Sequence, residues 1–121
     1  MKRIISQNRK KELEYLCLQY QEMKSELAHI NLRKGGTEWD DPTYEEVAYR
    51  DKLQKRIRII DEALDESCGG VLRPYMFKCV TKGEKYNKLR AYDDIPCGQR
   101  QFYDLKDEFL IILSQKEHTF L

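Results

Sequence analysis

The N-terminal part of the chain places apolar side chains at the spacing of one helix face. The apolar positions at intervals of three and four residues are Leu13, Leu16, Tyr20, Met23, Leu27 and Ile30. Alternating intervals of three and four define a heptad seam, in which all the apolar side chains lie on one side of a helix. The pattern predicts one long amphipathic helix over about residues 5–32, packed against a partner helix.

A second helical segment follows a polar break. Residues 33–42 contain a Gly-Gly pair and an Asp-Pro pair, both of which interrupt helices. Thr43, with Glu46 three residues later, matches a capping box that starts a helix. The apolar positions of that helix are Tyr49, Leu53, Ile57, Ile60 and Leu64. Two helices of similar length joined by a short loop predict an antiparallel hairpin, with the second helix over residues 44–66.

The C-terminal part has shorter helical runs separated by stronger breaks. Pro74 suits the first turn of a helix, and Gly83 suits its end. A short helix over residues 84–92 follows, with Tyr86 and Leu89 facing inward, and then comes the proline-bearing break 93–97. From Gly98 a longer helix begins, with an apolar stripe at Phe102, Leu105, Phe109 and Ile112. The predicted fold is all-α, with a helical hairpin (residues 1–66) for self-association or partner contact, followed by a three-helix helix-turn-helix domain (residues 71–121).

Charge and hydropathy narrow the classes of function. The net charge is +1, so any nucleic-acid binding depends on a local basic patch. No apolar run approaches the roughly 18 residues that span a bilayer, and the first residues lack the apolar core of a signal peptide. We therefore expect a cytoplasmic protein without membrane contact.

The cysteines and histidines predict no metal centre and no catalytic site. Cys17, Cys68, Cys79 and Cys97 lack the close spacing of zinc ligands, and we expect free thiols. The dipole of the following helix is a reason for a lowered pKa at Cys97, but no histidine lies near it in sequence. We expect no cofactor, no small-molecule substrate and no enzymatic activity.

The last helix is the candidate reader of DNA. Burial of its predicted apolar stripe leaves a polar set outward or near the rim: Gln99, Arg100, Gln101, Tyr103 and Lys106. Arginine pairs with guanine through two hydrogen bonds and glutamine pairs with adenine in the same way. The preceding short helix carries Lys85, Lys88 and Arg90, with Lys82 beside it, at positions suited to phosphate contacts.

Residues 82–109, "KGEKYNKLRAYDDIPCGQRQFYDLKDEF", resemble the C-terminal helix-turn-helix of phage and prophage regulators of the ArpU/RinA type, a module similar to region 4 of sigma factors. The positions that carry the resemblance are Gly83, Tyr86, Leu89, Arg100, Phe102 and Tyr103. Such regulators also have a long helical region before this module. The resemblance implies a transcriptional regulator that binds double-stranded DNA in the cytoplasm of a bacterial host cell. A homodimer is one possible form of such a regulator.

Two departures from that family pattern keep other functions open. The turn is about two residues longer than the usual one of this motif. The last helix also carries Asp104, Asp107 and Glu108, which repel phosphate. These acids favour a protein-binding inhibitor or adaptor with a degenerate helix-turn-helix, acting on a host RNA polymerase, repressor or defence nuclease. A small terminase subunit is a third class, although its helix-turn-helix usually precedes its coiled coil.

Overall fold

A computed structural model of the protein describes residues 5–34 and 44–120. These residues form six helices: α1 (Gln7–Leu18), α2 (Tyr20–Lys34), α3 (Tyr44–Ser67), α4 (Arg73–Lys82), α5 (Tyr86–Asp93) and α6 (Gln99–Phe120). The prediction of an all-α fold is confirmed. The predicted capping residue Thr43 and the polar break up to residue 42 lie largely outside the described residues.

The first predicted helix is interrupted at a single residue. Ser6 caps α1 by accepting a hydrogen bond from the Arg9 N–H at 3.1 Å. Gln19 ends α1 with right-handed dihedral angles, and its carbonyl accepts from the Met23 N–H at 2.8 Å as α2 begins. The prediction of one uninterrupted helix over residues 5–32 was therefore wrong at Gln19. No glycine or proline lies there, so the sequence carries no breaker signal.

The predicted hairpin is formed by α2 and α3. The Tyr20 hydroxyl donates to Asp61 at 2.9 Å, and the Tyr49 hydroxyl donates to Glu26 nearer the hairpin tip. On the apolar seam, Leu13, Tyr20 and Met23 are buried, and the other predicted positions pack partly buried against the same core. Helix α3 ends at Ser67, one residue beyond the predicted end.

The three C-terminal helices begin and end near the predicted residues. Pro74 lies in the first turn of α4, and Gly83 ends that helix with a φ of 71°. The Gly83 N–H donates to the Cys79 carbonyl at 3.0 Å. Tyr86 and Leu89 of α5 are buried, as their spacing predicts.

One hydrophobic core joins the hairpin to the C-terminal helices. Helix α6 packs most extensively on α3, and α1 packs on both α4 and α6. The largest fully buried side chains come from both parts of the chain: Leu13, Cys17, Ile60, Leu64, Met76, Leu89, Phe102, Phe109, Leu110 and Leu113. The predicted boundary between residues 1–66 and 71–121 thus crosses a shared core. The domain division itself stays a prediction.

Candidate nucleic-acid interface

Helices α4, α5 and α6 are held together through α5. The Lys78 ammonium of α4 donates to the Asp93 carboxylate of α5 at 3.2 Å. The Tyr86 hydroxyl donates to the Cys97 carbonyl at 2.6 Å, so α5 is tied to the residues just before α6. The ring centroid of Tyr86 lies 5.7 Å from that of Phe102. The first turn of α6 is therefore fixed relative to α5 by one polar and one aromatic contact.

The break between α5 and α6 is a defined turn. Asp94 follows α5 with a φ of 53°, a left-handed conformation that aspartate tolerates better than most residues. Ile95, the next residue, is buried in the common core. The longer turn noted in the sequence thus reverses the chain at Asp94 and anchors it at Ile95.

The buried stripe of α6 differs from the predicted one. Phe102 and Phe109 are fully buried as predicted. Leu105 and Ile112 are only partly buried, whereas Leu110 and Leu113 are buried instead. Helix α6 has two neighbours here, because it packs against both α3 and α1. A second neighbour widens the buried arc and shifts its centre around the helix axis.

The first turn of α6 presents polar side chains to solvent. Gln99, Arg100 and Gln101 are all exposed. Arg100 makes no ion pair with any residue of the described chain. Its guanidinium keeps its hydrogen-bond donors available for an incoming acceptor.

The basic residues of α5 are exposed as well. Lys85, Lys88 and Arg90 lie on or beside this helix, with their side chains in solvent. The Lys88 ammonium lies 3.5 Å from the half-buried Glu84 carboxylate one turn earlier, and an ion pair of this kind contributes little to stability. Together with the first turn of α6, these residues form an exposed polar and basic surface, hereafter the α5–α6 surface.

Tyr103 and Lys106 are not on the outward face, contrary to the sequence expectation. Tyr103 is partly buried, with its ring centroid 6.5 Å from that of Tyr86 and 5.8 Å from that of Phe102. Lys106 lies 3.6 Å from Glu14 of α1, with 22% of its side chain exposed. Helix α1 covers this flank of α6, a contact that no local sequence pattern shows.

Polar contacts link α1 to α6 along much of their common length. The Arg9 guanidinium donates to Ser114 and Glu117, both at 3.2 Å. Lys10 donates to Asp107 at 3.2 Å, and so partly neutralises one of the three acids noted on α6. Sequence analysis missed these contacts because the partners are about one hundred residues apart.

The remaining acids of α6 stay exposed. Asp104 and Glu108 lie one and two turns beyond Arg100 and face solvent. Within residues 5–34 and 44–120, neither carboxylate forms an ion pair. These two carboxylates repel phosphate beyond the first turn of α6, which restricts phosphate contacts on this helix to residues 99–101.

None of the four cysteine thiols has a lowered pKa. Cys17, Cys68 and Cys79 are buried free thiols, and Cys97 is partly buried. Burial raises the pKa of the Cys17 thiol to about 12. Partial burial also raises the pKa of Cys97, so the lowering considered from the helix dipole is not found. Within residues 5–34 and 44–120, no group of three or more His, Cys, Asp or Glu side chains is placed to hold a metal ion.

Comparisons with known proteins leave the chain without an assigned family. No family model, no curated protein and no solved structure matches it. Among the described helices, none is both long and apolar enough to cross a bilayer.

Proposed function

We propose that the protein is a helix-turn-helix regulator of the phage type that binds double-stranded DNA. The observation that carries the proposal is the exposed polar first turn of α6, anchored from below by the fully buried Phe102. Recognition helices of this motif contact base edges through their N-terminal residues, which is where this exposed turn lies.

Three residues of α6 would contact the base edges directly. Arg100 has a guanidinium suited to the two acceptors of guanine in the major groove. Gln99 and Gln101 carry amides that match the donor and acceptor of adenine. Their exposure and their position at the start of α6 support this role. Lys106 and Tyr103 support the helix from the protein side instead.

Phosphate contacts fall to α5 and its start. Lys85 precedes the first residue of α5, and Lys88 and Arg90 follow within two turns. Contacts of this kind set the position of a protein on DNA without carrying sequence information. The α5–α6 surface therefore divides into a base-reading part and a positioning part.

The alternative partner is a host protein such as RNA polymerase, a repressor or a defence nuclease. The exposed carboxylates of Asp104 and Glu108 favour it, because they repel a phosphate backbone and attract a basic protein surface. The hairpin tip supplies an aromatic contact for such a partner or for a second copy, since Tyr44 is 87% exposed. This alternative predicts no measurable binding to DNA at low salt.

Fluorescence anisotropy with random duplex DNA and with the promoter DNA of its own gene tests the proposal. Replacement of Arg100 by alanine is expected to weaken binding by about 1–3 kcal/mol and to relax one base position, because a bidentate base contact is lost. Lys11→Ala, which removes an exposed cation of α1, is the control and should bind as the wild type does.

Salt dependence separates the outcomes. A uniform loss over all sequences with a shallower salt slope would make Arg100 a phosphate contact. Absence of wild-type binding at about 50 mM salt, where electrostatic association is strong, would reject DNA as the partner and favour the protein-binding alternative.

A further inference from the structure

The middle of α3 holds the densest basic segment in the described chain. Residues 50–58, "RDKLQKRIR", contain five Lys or Arg residues and one acid. Leu53 and Ile57 face the core, so the helix is fixed in rotation and the basic side chains are directed away from the buried face. The function proposed above makes no use of this segment.

Three of the basic side chains follow one another along the exposed side of α3. Lys52, Lys55 and Arg58 are all exposed and are spaced three residues apart, so they lie on one ridge of the helix surface. From Lys52 to Arg58 this ridge extends about 9 Å along the helix axis, at about 1.5 Å per residue. We call these three residues the α3 ridge.

The two end charges of the α3 ridge are not paired within the described part of the protein. Neither Lys52 nor Arg58 forms an ion pair with another described residue. The acid within the segment, Asp51, lies 3.9 Å from the Nε atom of Arg50. Arg56 is partly buried beside the ridge and adds to its positive potential. The ridge therefore presents net positive charge to solvent.

The α3 ridge is far from the α5–α6 surface. Arg56 lines a groove of about 190 Å³ together with Glu117, near the C-terminal end of α6. Arg100 lies at the opposite end of that helix, about 25 Å away at 1.5 Å per residue. A variant at one surface consequently leaves the other surface intact.

The chemistry of the ridge fits a phosphate backbone better than a protein. Lysine is depleted in protein interfaces, whose centres are rich in aromatic and other apolar side chains. Lys52, Lys55 and Arg58 have no large exposed apolar residue between them along the helix. Lysine and arginine are instead the main donors to phosphate oxygens. One strand of a duplex carries a phosphate about every 3.4 Å, so a ridge of about 9 Å faces two or three of them.

We infer that the α3 ridge is a second nucleic-acid contact, which binds the phosphate backbone of a duplex independently of sequence. It adds a sequence-independent contact to the DNA-binding function proposed above, but it does not depend on base reading by α6. A protein with an overall charge of only +1 gains association with DNA through such a local concentration of positive charge.

The test compares two double variants of the full chain with equal net charge. Lys52→Gln with Arg58→Gln removes the outer charges of the ridge, and Lys11→Gln with Lys24→Gln removes two exposed charges from α1 and α2. Lys55 is retained because it already interacts within the protein. All four replaced side chains are exposed, so the ridge variant should melt at the wild-type temperature. The control variant should melt slightly lower, because the Lys24 ammonium lies 5.5 Å from the centroid of the Tyr20 ring.

Anisotropy titrations use a random-sequence duplex at several salt concentrations. The ridge variant is expected to bind about tenfold more weakly, and its salt slope should fall by about 1.8, at about 0.9 per lost phosphate contact. The Lys11/Lys24 variant should retain the wild-type slope. Equal slopes and affinities for the two double variants would overturn the inference.

Two further measurements separate this inference from the base-reading proposal. If Arg100→Ala weakens binding and the ridge variant does not, the α3 inference fails and the α6 proposal survives. If the ridge variant weakens binding and Arg100→Ala does not, the α6 proposal fails and the α3 inference survives. Failure of the wild type to bind the duplex would overturn both. Poly-glutamate is the second probe, and binding to it as tightly as to the duplex at equal salt would reassign the ridge to an acidic protein.

Discussion

Tyr86 shows how single residues fix the geometry of the α5–α6 surface. Its ring packs beside Phe102 while its hydroxyl satisfies the Cys97 carbonyl, so one side chain serves both the core and the turn. The spacing of Tyr86 and Leu89 indicated their burial, and the structure confirms it. The hydrogen bond to Cys97 was not predictable, because it depends on how the turn folds back at Asp94.

Lys106 is a residue whose surroundings were predicted wrongly from the sequence. On α6 taken alone, it belongs to the polar set that faces outward. The structure places it against Glu14, whose helix lies more than ninety positions earlier in the sequence. Side-chain direction was thus predictable where the neighbouring element is local in sequence and not where it is distant.

Cys17 gives a pH-dependent prediction. Desolvation by burial is the main reason that its pKa rises from 9.0 to about 12, with Lys106 opposing this by a smaller amount. The unfolded thiol loses its proton above about pH 9 while the folded thiol keeps it, so the free energy of unfolding should fall as pH rises from 9 towards 12. Cys17→Ala should reduce this fall by about 1 kcal/mol per pH unit.

Urea denaturation at several values between about pH 8.5 and pH 10.5 measures this effect. Cys97→Ala is the matched control, because that thiol is only partly buried and should change the slope less. Identical pH slopes for the wild type and Cys17→Ala would contradict the prediction.

Element boundaries follow the glycine and proline positions where these exist. Pro74 and Gly83 marked α4, and the prediction agrees with the observed bounds Arg73–Lys82. At Gln19 the helix is interrupted with right-handed dihedral angles and without any such residue. The packing partners change at this break, since α1 lies against α4 and α6 whereas α2 lies against α3. Packing of this kind leaves no local signal in the sequence.

The end of α4 yields a prediction for Gly83. Its φ of 71° is a left-handed conformation, in which a side chain costs about 1–2 kcal/mol. An added Cβ would lie 3.5 Å from a methyl group of Leu18, an ordinary contact, so the cost is conformational. Gly83→Ala should therefore lower the free energy of unfolding by about 1 kcal/mol.

Thermal and urea unfolding measure this change. Gly70→Ala is the control, because a Cβ there meets no atom within 4 Å and its φ is not positive. An unchanged stability of Gly83→Ala would show that the turn relaxes to another conformation. A loss far above the expected value would indicate that Leu18 cannot accommodate the added methyl group.

At the scale of the whole molecule, the shared core makes the C-terminal helices dependent on the hairpin. The buried stripe of α6 is covered by α1 and α3, with Leu13, Ile60 and Leu64 among the fully buried residues. A fragment of residues 71–121 loses that cover and should not fold alone. The apolar periodicity predicted the helical segments but not the break at Gln19, and it gave no information on whether the two parts bury their stripes separately or together.

Circular dichroism of the isolated fragment checks this prediction. The fragment should show low helicity and no cooperative thermal transition, in contrast to the full chain. A cooperative transition would support two independent domains, as the sequence boundary between residues 66 and 71 suggested. Adding a peptide of residues 1–66 should restore helicity if the shared core is the cause.

The contacts between α1 and α6 also bear on how the protein is made. Arg9 and Ser114 are separated by 105 positions along the chain, an unusually long separation for a contact in a small helical protein. The ribosome synthesises α1 and α3 before α6, so the apolar surfaces of α1 and α3 that α6 covers stay exposed until α6 has been made. Closing this separation costs loop entropy, so we expect α6 to dock after the helical hairpin has formed. A nascent chain halted before that step lacks α6 and exposes the apolar side chains that α6 covers in the folded protein.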